Sequence, residues 1–258
     1  MAKRDFAVHS VLVTGSSSGI GLGLVKQFLK LPTPPQWIFA TFHESDEEKN
    51  REINNLVSQN SNLVLLYLDV TDRKSIVAAA EEVQKYVGEC GLTLLMNNAG
   101  ILINATLQEE TAKNMAAEYA INTIGPLQVS QVFLPLLEMA AERSPQQGLS
   151  CSKAAIINTC SSAGSLELVA FFDVGEMVGY RCSKAALSML TRCQSLEYPD
   201  YGILCACIHP GYVKTNLTEW QGEQSVEQST RGIIKVLSTL SEEDNGSFLD
   251  WEGHRVPW

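Results

Sequence analysis

Short apolar runs rich in β-branched residues alternate with longer segments of helical period along almost the whole chain. That is the pattern of buried strands separated by amphipathic helices. Residues 9–13 form the first such run, and Thr14-Gly15-Ser16-Ser17-Ser18-Gly19-Ile20-Gly21 turns from it into a periodic segment reaching Leu31. Pro32-Thr33-Pro34-Pro35 ends that helix, since proline lacks the N–H and restricts the residue before it. Further strands are expected at residues 36–42, 63–68, 92–96, 154–159, 203–208 and 246–250. Helices are expected from the cap Asp72 to about Val87, from about Gln108 to Ala141 with a break near Asn122 and Pro126, from Tyr180 onward, and over 226–240. No repeat or low-complexity linker interrupts the alternation. Residues 1–258 are therefore expected to form one α/β domain, a doubly wound Rossmann-type parallel sheet of about seven strands with helices on both faces.

Charge narrows the partners. Nineteen Lys and Arg against 29 Asp and Glu leave a formal charge of −10. Nucleic acid and anionic membrane both call for basic patches, so neither is an expected partner. No stretch reaches the ~18 consecutive apolar residues of a membrane span, and the first strand begins too early to leave room for a signal peptide. Seven cysteines, an odd number without framework spacing, read as reduced and buried. A cytoplasmic location is the expectation, with Cys205 and Cys207 packing in a core strand.

The candidate chemistry sits at strand ends. After the first strand, the glycine turn lets backbone approach a pyrophosphate, and the following helix N-terminus faces the anion. The second strand runs into His43-Glu44-Ser45-Asp46, where a dinucleotide fold meets the adenosine ribose. His43 suits a 2′-phosphate, whereas Glu44 and Asp46 repel one or simply begin the next helix. Gly100, after Asn97-Asn98-Ala99, removes bulk where a cofactor can lie. Asn122 intrudes into an apolar helical run, and Ser161 and Ser162 follow the fifth strand. Tyr180 and Lys184 stand one helical turn apart on one face. An ammonium there favours the phenolate, but bringing a phenol from about 10 to about 7 takes roughly 4 kcal/mol, more than one ion pair supplies. A second cation, such as an oxidised nicotinamide ring, is needed. The segment 216–224, polar around Trp220, suits a substrate lid.

Five of these features together resemble the short-chain dehydrogenase/reductases: Thr14-Gly15-x-x-x-Gly19-x-Gly21, Asp69-Val70, Asn97-Asn98-Ala99-Gly100, Ser161 with Tyr180-x-x-x-Lys184, and Pro210-Gly211-x-x-x-Thr215. Stretches 154–158, 180–186 and 204–215 and the aromatic end at Trp258 resemble, more narrowly, sniffer-type carbonyl reductases. The resemblance implies that Tyr180 protonates a carbonyl oxygen while Ser161 hydrogen-bonds it, with Ser162 as the other candidate. It implies that Lys184 tunes Tyr180 and holds the nicotinamide ribose, and that Asn122 holds a water linking Lys184 to solvent. Around the cofactor it implies Gly15, Ser17, Ser18, Gly19, Ile20 and Gly21 at the pyrophosphate, and His43 at the ribose. It places Asp69 and Val70 at adenine, with Asn98, Ala99 and Gly100 along the adenosine side. Pro210, Gly211, Val213 and Thr215 fall at the carboxamide and pyrophosphate.

Two departures from the family pattern bear on specificity. The gap from Ser161 to Tyr180 is lengthened, so the loop with Phe171 and Phe172 is expected to shape the substrate site. Ser18 and His43 stand where phosphate-selective members carry bases, so NADP(H) is the expected cofactor with NAD(H) as the alternative. The expected activity is NADPH-dependent reduction of an aldehyde, ketone or quinone, on a small-molecule carbonyl substrate, with a homodimer as the expected assembly. An NAD-dependent alcohol or hydroxysteroid dehydrogenase and a non-catalytic nucleotide sensor are the competing readings; an intact Tyr, Lys and Ser set speaks against the sensor.

Overall fold

Seven parallel strands carry the apolar runs: β1 Ser10–Val13, β2 Trp37–Phe42, β3 Leu63–Tyr67, β4 Leu94–Asn97, β5 Ala155–Thr159, β6 Leu204–His209 and β7 Phe248–Asp250. The computed structural model describes residues 6–43, 47–169 and 177–258. Hydrogen bonds join the strands in the order β3-β2-β1-β4-β5-β6-β7, with Val11 opposite both Ile38 and Leu94. The order reverses between β1 and β4, the crevice where open α/β sheets place their ligands.

Both faces of this sheet are covered, which is why its strands read as continuous apolar runs rather than alternating ones. On one face α1 (Gly19–Leu29), α2 (Glu47–Gln59) and α7 (Val226–Leu237) pack Leu24, Phe28, Ile53 and Ile233 against Val11, Ile38 and Leu94. On the other, α3 (Arg73–Val87) and α5 (Gly125–Arg143) pack Ile76, Val83, Phe133 and Leu137 against Leu12, Phe39 and Leu95. Phe28, Phe39 and Phe133 are fully buried, each contributing about 1.5–3 kcal/mol by removal of apolar surface from water.

Strand and helix ends differ from the sequence expectations by a residue or two, as capping and fraying allow. Asp72 caps α3 through the Lys74 N–H at 2.9 Å, as expected. The break near Asn122 is a π-helical turn, Ala120–Ile124, between α4 (Ala112–Tyr119) and α5. Pro126 adjoins that turn within one continuous helical run, and its missing N–H cannot bond back to the Asn122 carbonyl, so it belongs to the same interruption. By length and composition the run Ala112–Arg143 would cross a membrane, yet its Val129, Phe133 and Leu137 are core residues against the sheet. Glu44 and Asp46, and Phe171 and Phe172 of the lengthened loop, lie outside the described residues.

The last helix on the second face, α6 (Val178–Glu197), is held to the sheet by a buried polar chain. Asn97 Nδ2 donates to Asn158 Oδ1 at 2.9 Å and to Ser130 Oγ at 3.1 Å. Asn158 Nδ2 then donates to Thr191 Oγ1 at 2.7 Å and to Gln194 Oε1 at 2.9 Å. These bonds span β4, β5, α5 and α6, and in a low-dielectric interior they fix the helix in one register. Tyr180 and Lys184 are carried on that helix.

Candidate active site

A cavity of about 350 Å³ opens over the C-terminal ends of the strands. Its walls bring together residues far apart in the chain: Gly15, Ser17, Ser18, Gly19, Ile20 and Gly21 from the turn after β1; His43 after β2; Asp69 and Val70 after β3; Asn98, Ala99 and Gly100 after β4; Tyr180 and Lys184 from α6; and Pro210 and Thr215 after β6. Phe42, Leu68, Ile101, Ile121, Thr159, Cys160, Asn216 and Leu217 complete it. Ser161, Asn122, Gly211 and Val213 are not on its walls. Val213 is 2 % exposed and bridges Gln224, so it braces the segment from behind.

The glycine turn is built for an anion. Ser18 occupies the N-cap of α1 but makes no capping hydrogen bond, and no acid occupies the first turn. The helix N–H groups and the positive end of its dipole are therefore directed to the cleft. Thr14 Oγ1 accepts the N–H groups of Asn98 and Ala99 at 2.9 and 3.0 Å, and Asn98 Nδ2 donates to the Thr14 carbonyl at 3.0 Å. The Asn98 side chain thus holds β1 and β4 together, and its backbone faces the cleft. Gly21 is where α1 crosses the turn. A Cβ there would lie 2.2 Å from the Gly15 carbonyl oxygen and 2.7 Å from Asn98 Nδ2. Gly21→Ala should push α1 off the turn, weakening dinucleotide binding by at least ~10-fold and costing about 1–3 kcal/mol of stability. Titration with cofactor and urea unfolding check both.

The reacting groups cluster at the opposite end. Tyr180 and Lys184 are 8 % and 4 % exposed, with the Lys184 Nζ 5.7 Å from the Tyr180 ring centroid. Lys184 Nζ donates to the Thr159 carbonyl at 2.8 Å, which ties α6 to the end of β5. Ser161 lies close enough to the Tyr180 hydroxyl to favour its ionised form. Ser162, the other candidate, turns away, its Oγ 3.2 Å from His209 Nε2. Burial lowers His209 to about 4, only partly opposed by Asp250, so the ring is neutral near pH 7. Geometry favours Ser161 over Ser162.

Asn122 is fully buried. Its Nδ2 donates to the Ile101 carbonyl and to Ser183 Oγ, both at 2.9 Å, and its Oδ1 accepts the Ile101 N–H at 2.9 Å. The amide therefore ties the segment after β4 to α6. A side chain on Gly100 would start 3.1 Å from Asn122 Oδ1 and 3.6 Å from Lys184 Nζ. Glycine keeps that space clear.

One expectation needs correction. The ammonium was expected to draw Tyr180 toward ionisation, but with the chain's own groups acting, Tyr180 is pushed up to about 12. Burial is the main cause. Ser161 pulls the other way, while Cys160 and Glu118 add to the rise. Burial also lowers Lys184, partly offset by Cys160 and Cys207. Desolvation therefore dominates both groups, and Lys184 is not among the groups that draw Tyr180 toward ionisation.

Several site residues escaped sequence reasoning. Thr14 and Thr159 hold the machinery through one hydroxyl and one carbonyl, for which only their places at strand ends gave a signal. Glu118, one helical turn before Asn122, is a buried acid whose spacing alone marked it. Among the cysteines, Cys160 is buried against Cys207 while Cys182 is exposed.

Residues 9–225 match the model of the short chain dehydrogenase family. The fold superimposes on an NADPH-bound carbonyl reductase from chicken fatty liver with a TM-score of 0.94, at 48% identity over 98% of this chain and 100% of that one. It is similar to the carbonyl reductase Sniffer of Drosophila melanogaster, with a TM-score of 0.92 and 33% identity over 97% and 100% of the two chains. An uncharacterized oxidoreductase of Schizosaccharomyces pombe is 29% identical over 95% of this chain and 96% of its own length. A likeness of this extent, running through the same sheet and the same cleft, makes the chain a member of the short-chain dehydrogenase family.

Proposed function

We propose that this short-chain oxidoreductase is an NADPH-dependent carbonyl reductase acting on an aldehyde, ketone or quinone, with Tyr180 as the proton donor. The observation that carries the proposal is the buried Tyr180, set close to Ser161 and lining the same cavity as the glycine turn. Likeness to an NADPH-bound carbonyl reductase supports the choice of cofactor and substrate class.

The residues present suit a nicotinamide dinucleotide. The α1 N-terminus takes the pyrophosphate, and His43, exposed at the cleft beside Ser17 and Ser18, takes the ribose 2′-phosphate. Asp69 and Val70 flank the adenine, and Lys184 holds the nicotinamide ribose. Bound there, the cofactor supplies the hydride.

The chain's own part is binding and proton transfer. Ser161 and Tyr180 hydrogen-bond the carbonyl oxygen and stabilise the charge that develops on it. Tyr180 then gives its proton to that oxygen. Asn122 faces Lys184 across the space at Gly100, and a bridging water there returns the proton from solvent. A phenol lifted to about 12 stays protonated at neutral pH, ready for reduction. The reverse reaction needs the phenolate, which the chain by itself disfavours.

The test is loss of nicotinamide absorbance with purified protein, NADPH or NADH, and a panel of aldehydes, ketones and quinones. NADPH should be oxidised with a KM at least ~10-fold below that for NADH, the span of one lost charged hydrogen bond. Tight cofactor binding without turnover of any carbonyl would instead establish a nucleotide-binding protein. Preference for NADH with efficient alcohol oxidation would establish a dehydrogenase.

A further inference from the structure

A buried carboxyl stands against Gly179, the residue before the tyrosine, and has no part in the roles assigned above. Glu118, on α4, is 0 % exposed. Its Oε1 accepts the Ile103 N–H at 2.8 Å, so it holds the segment that lines the cleft through Gly100 and Ile101. Its Oε2 is buried without a hydrogen-bond partner among the described residues. That oxygen presses on Gly179, the residue before Tyr180. A Cβ there would stand 2.1 Å from Glu118 Oε2 and 3.0 Å from Glu110 Oε2. Glu110 in turn accepts the Gly179 N–H at 3.1 Å. Two carboxyls thus converge on the first turn of the helix that carries Tyr180.

Ionising both is costly. A charged oxygen sealed away without a donor pays its full desolvation, and a neighbouring carboxylate adds repulsion. Burial first, then Glu110, raise the proton affinity of Glu118, against the opposing Ile103 N–H. The positive end of α6 favours one negative charge, and Glu110, bonded to the Gly179 N–H, takes that place. Among the described residues, the titratable groups that act on Glu118 or respond to it are Glu110 from the turn before α4 and Tyr180 from α6. Lys184, one turn further, is committed to Thr159. The 101–103 segment offers only Ile101, Leu102 and Ile103.

We propose that Glu118 is a positioning residue of the reaction centre: as a neutral acid it fixes the cleft segment against the Tyr180 helix, and its ionisation weakens Tyr180 as a proton donor as pH rises. The catalytic half of this proposal rests on the carbonyl-reductase reading. A negative charge at Glu118 makes the phenol hold its proton more tightly, so less is given up to the developing alkoxide.

Glu118→Gln tests it, because glutamine keeps the shape and an acceptor for the Ile103 N–H but cannot ionise. The unsubstituted protein should lose about 3- to 10-fold in reductive kcat as pH rises through the titration of Glu118. Glu118→Gln should stay flat over that range, within about 2-fold of the low-pH value of the unsubstituted protein. Glu118→Ala, which strips the Ile103 N–H of its acceptor, should be slower at every pH. Urea unfolding against pH needs neither cofactor nor turnover. Glu118 binds its proton more tightly folded than unfolded. The stability of the unsubstituted protein relative to Glu118→Gln is therefore greatest below the ordinary glutamate range, and falls as pH rises through the folded value. A rate decline that persists unchanged in Glu118→Gln, or a stability difference that does not move with pH, overturns the proposal. If the unsubstituted protein reduces no carbonyl, the functional reading fails and the unfolding series still decides the protonation of Glu118.

Discussion

Tyr180→Phe should cut carbonyl reduction by about 10²–10⁴-fold, the range a positioned general acid contributes, while cofactor affinity stays within about 2-fold. Tyr180 is 8 % exposed, so phenylalanine fills the same volume and only the hydroxyl is lost. That hydroxyl is the group near Ser161 assigned to hand a proton to the carbonyl oxygen, and the substitution removes it. Parallel steady-state kinetics and cofactor titration separate the two effects. In the oxidative direction the rate should climb with pH, since the phenolate must form from a group lying near 12, and the substitution should abolish that climb. Full reductive activity in Tyr180→Phe would remove the proton-donor assignment.

Lys184→Ala should raise the cofactor KM by about 10-fold and lower kcat by about 10²-fold, because one ammonium serves two ends of the site. It donates to the Thr159 carbonyl at 2.8 Å, a tie between α6 and the end of β5 that its removal breaks. It also faces the cleft beside Gly100, where it is placed to hold ribose hydroxyls. Lys184→Met separates charge from packing. Methionine restores most of the volume but neither the donor nor the charge, so it should be as impaired as alanine in both constants. Recovery in the methionine variant would mean that the lysine acts by filling space.

Much of the architecture was legible along the chain. A β-branched run followed by a glycine turn and a periodic segment specifies strand, turn and helix through local sterics alone, and β1 to α1 follows it closely. Each of the seven strands begins within two residues of its expected start. The site was legible as a set of strand-end residues because a parallel sheet delivers every strand's C-terminal end to one edge. Tyr180 and Lys184 share a face for the equally local reason of helical pitch. Less legible were groups whose part depends on what other elements bring to them. Asn122 reads as a polar intruder until Ile101 and Ser183 arrive to meet its amide. Ser161 and Ser162 are indistinguishable neighbours until His209, 47 positions on, engages one of them.

The sequence by itself determined which segments fold as strands and helices, their order, and the kind of chemistry gathered at the strand ends. These follow from periodicity, turn residues and capping, all short-range along the chain. Only the tertiary structure decided the protonation balance of the site. Proton affinity depends on how much water each group loses and on which donors from distant elements remain within reach, as with Tyr180 under its burial, Lys184 on Thr159 and Glu118 against Gly179. Desolvation is a property of the packed volume, which no local pattern of residues encodes.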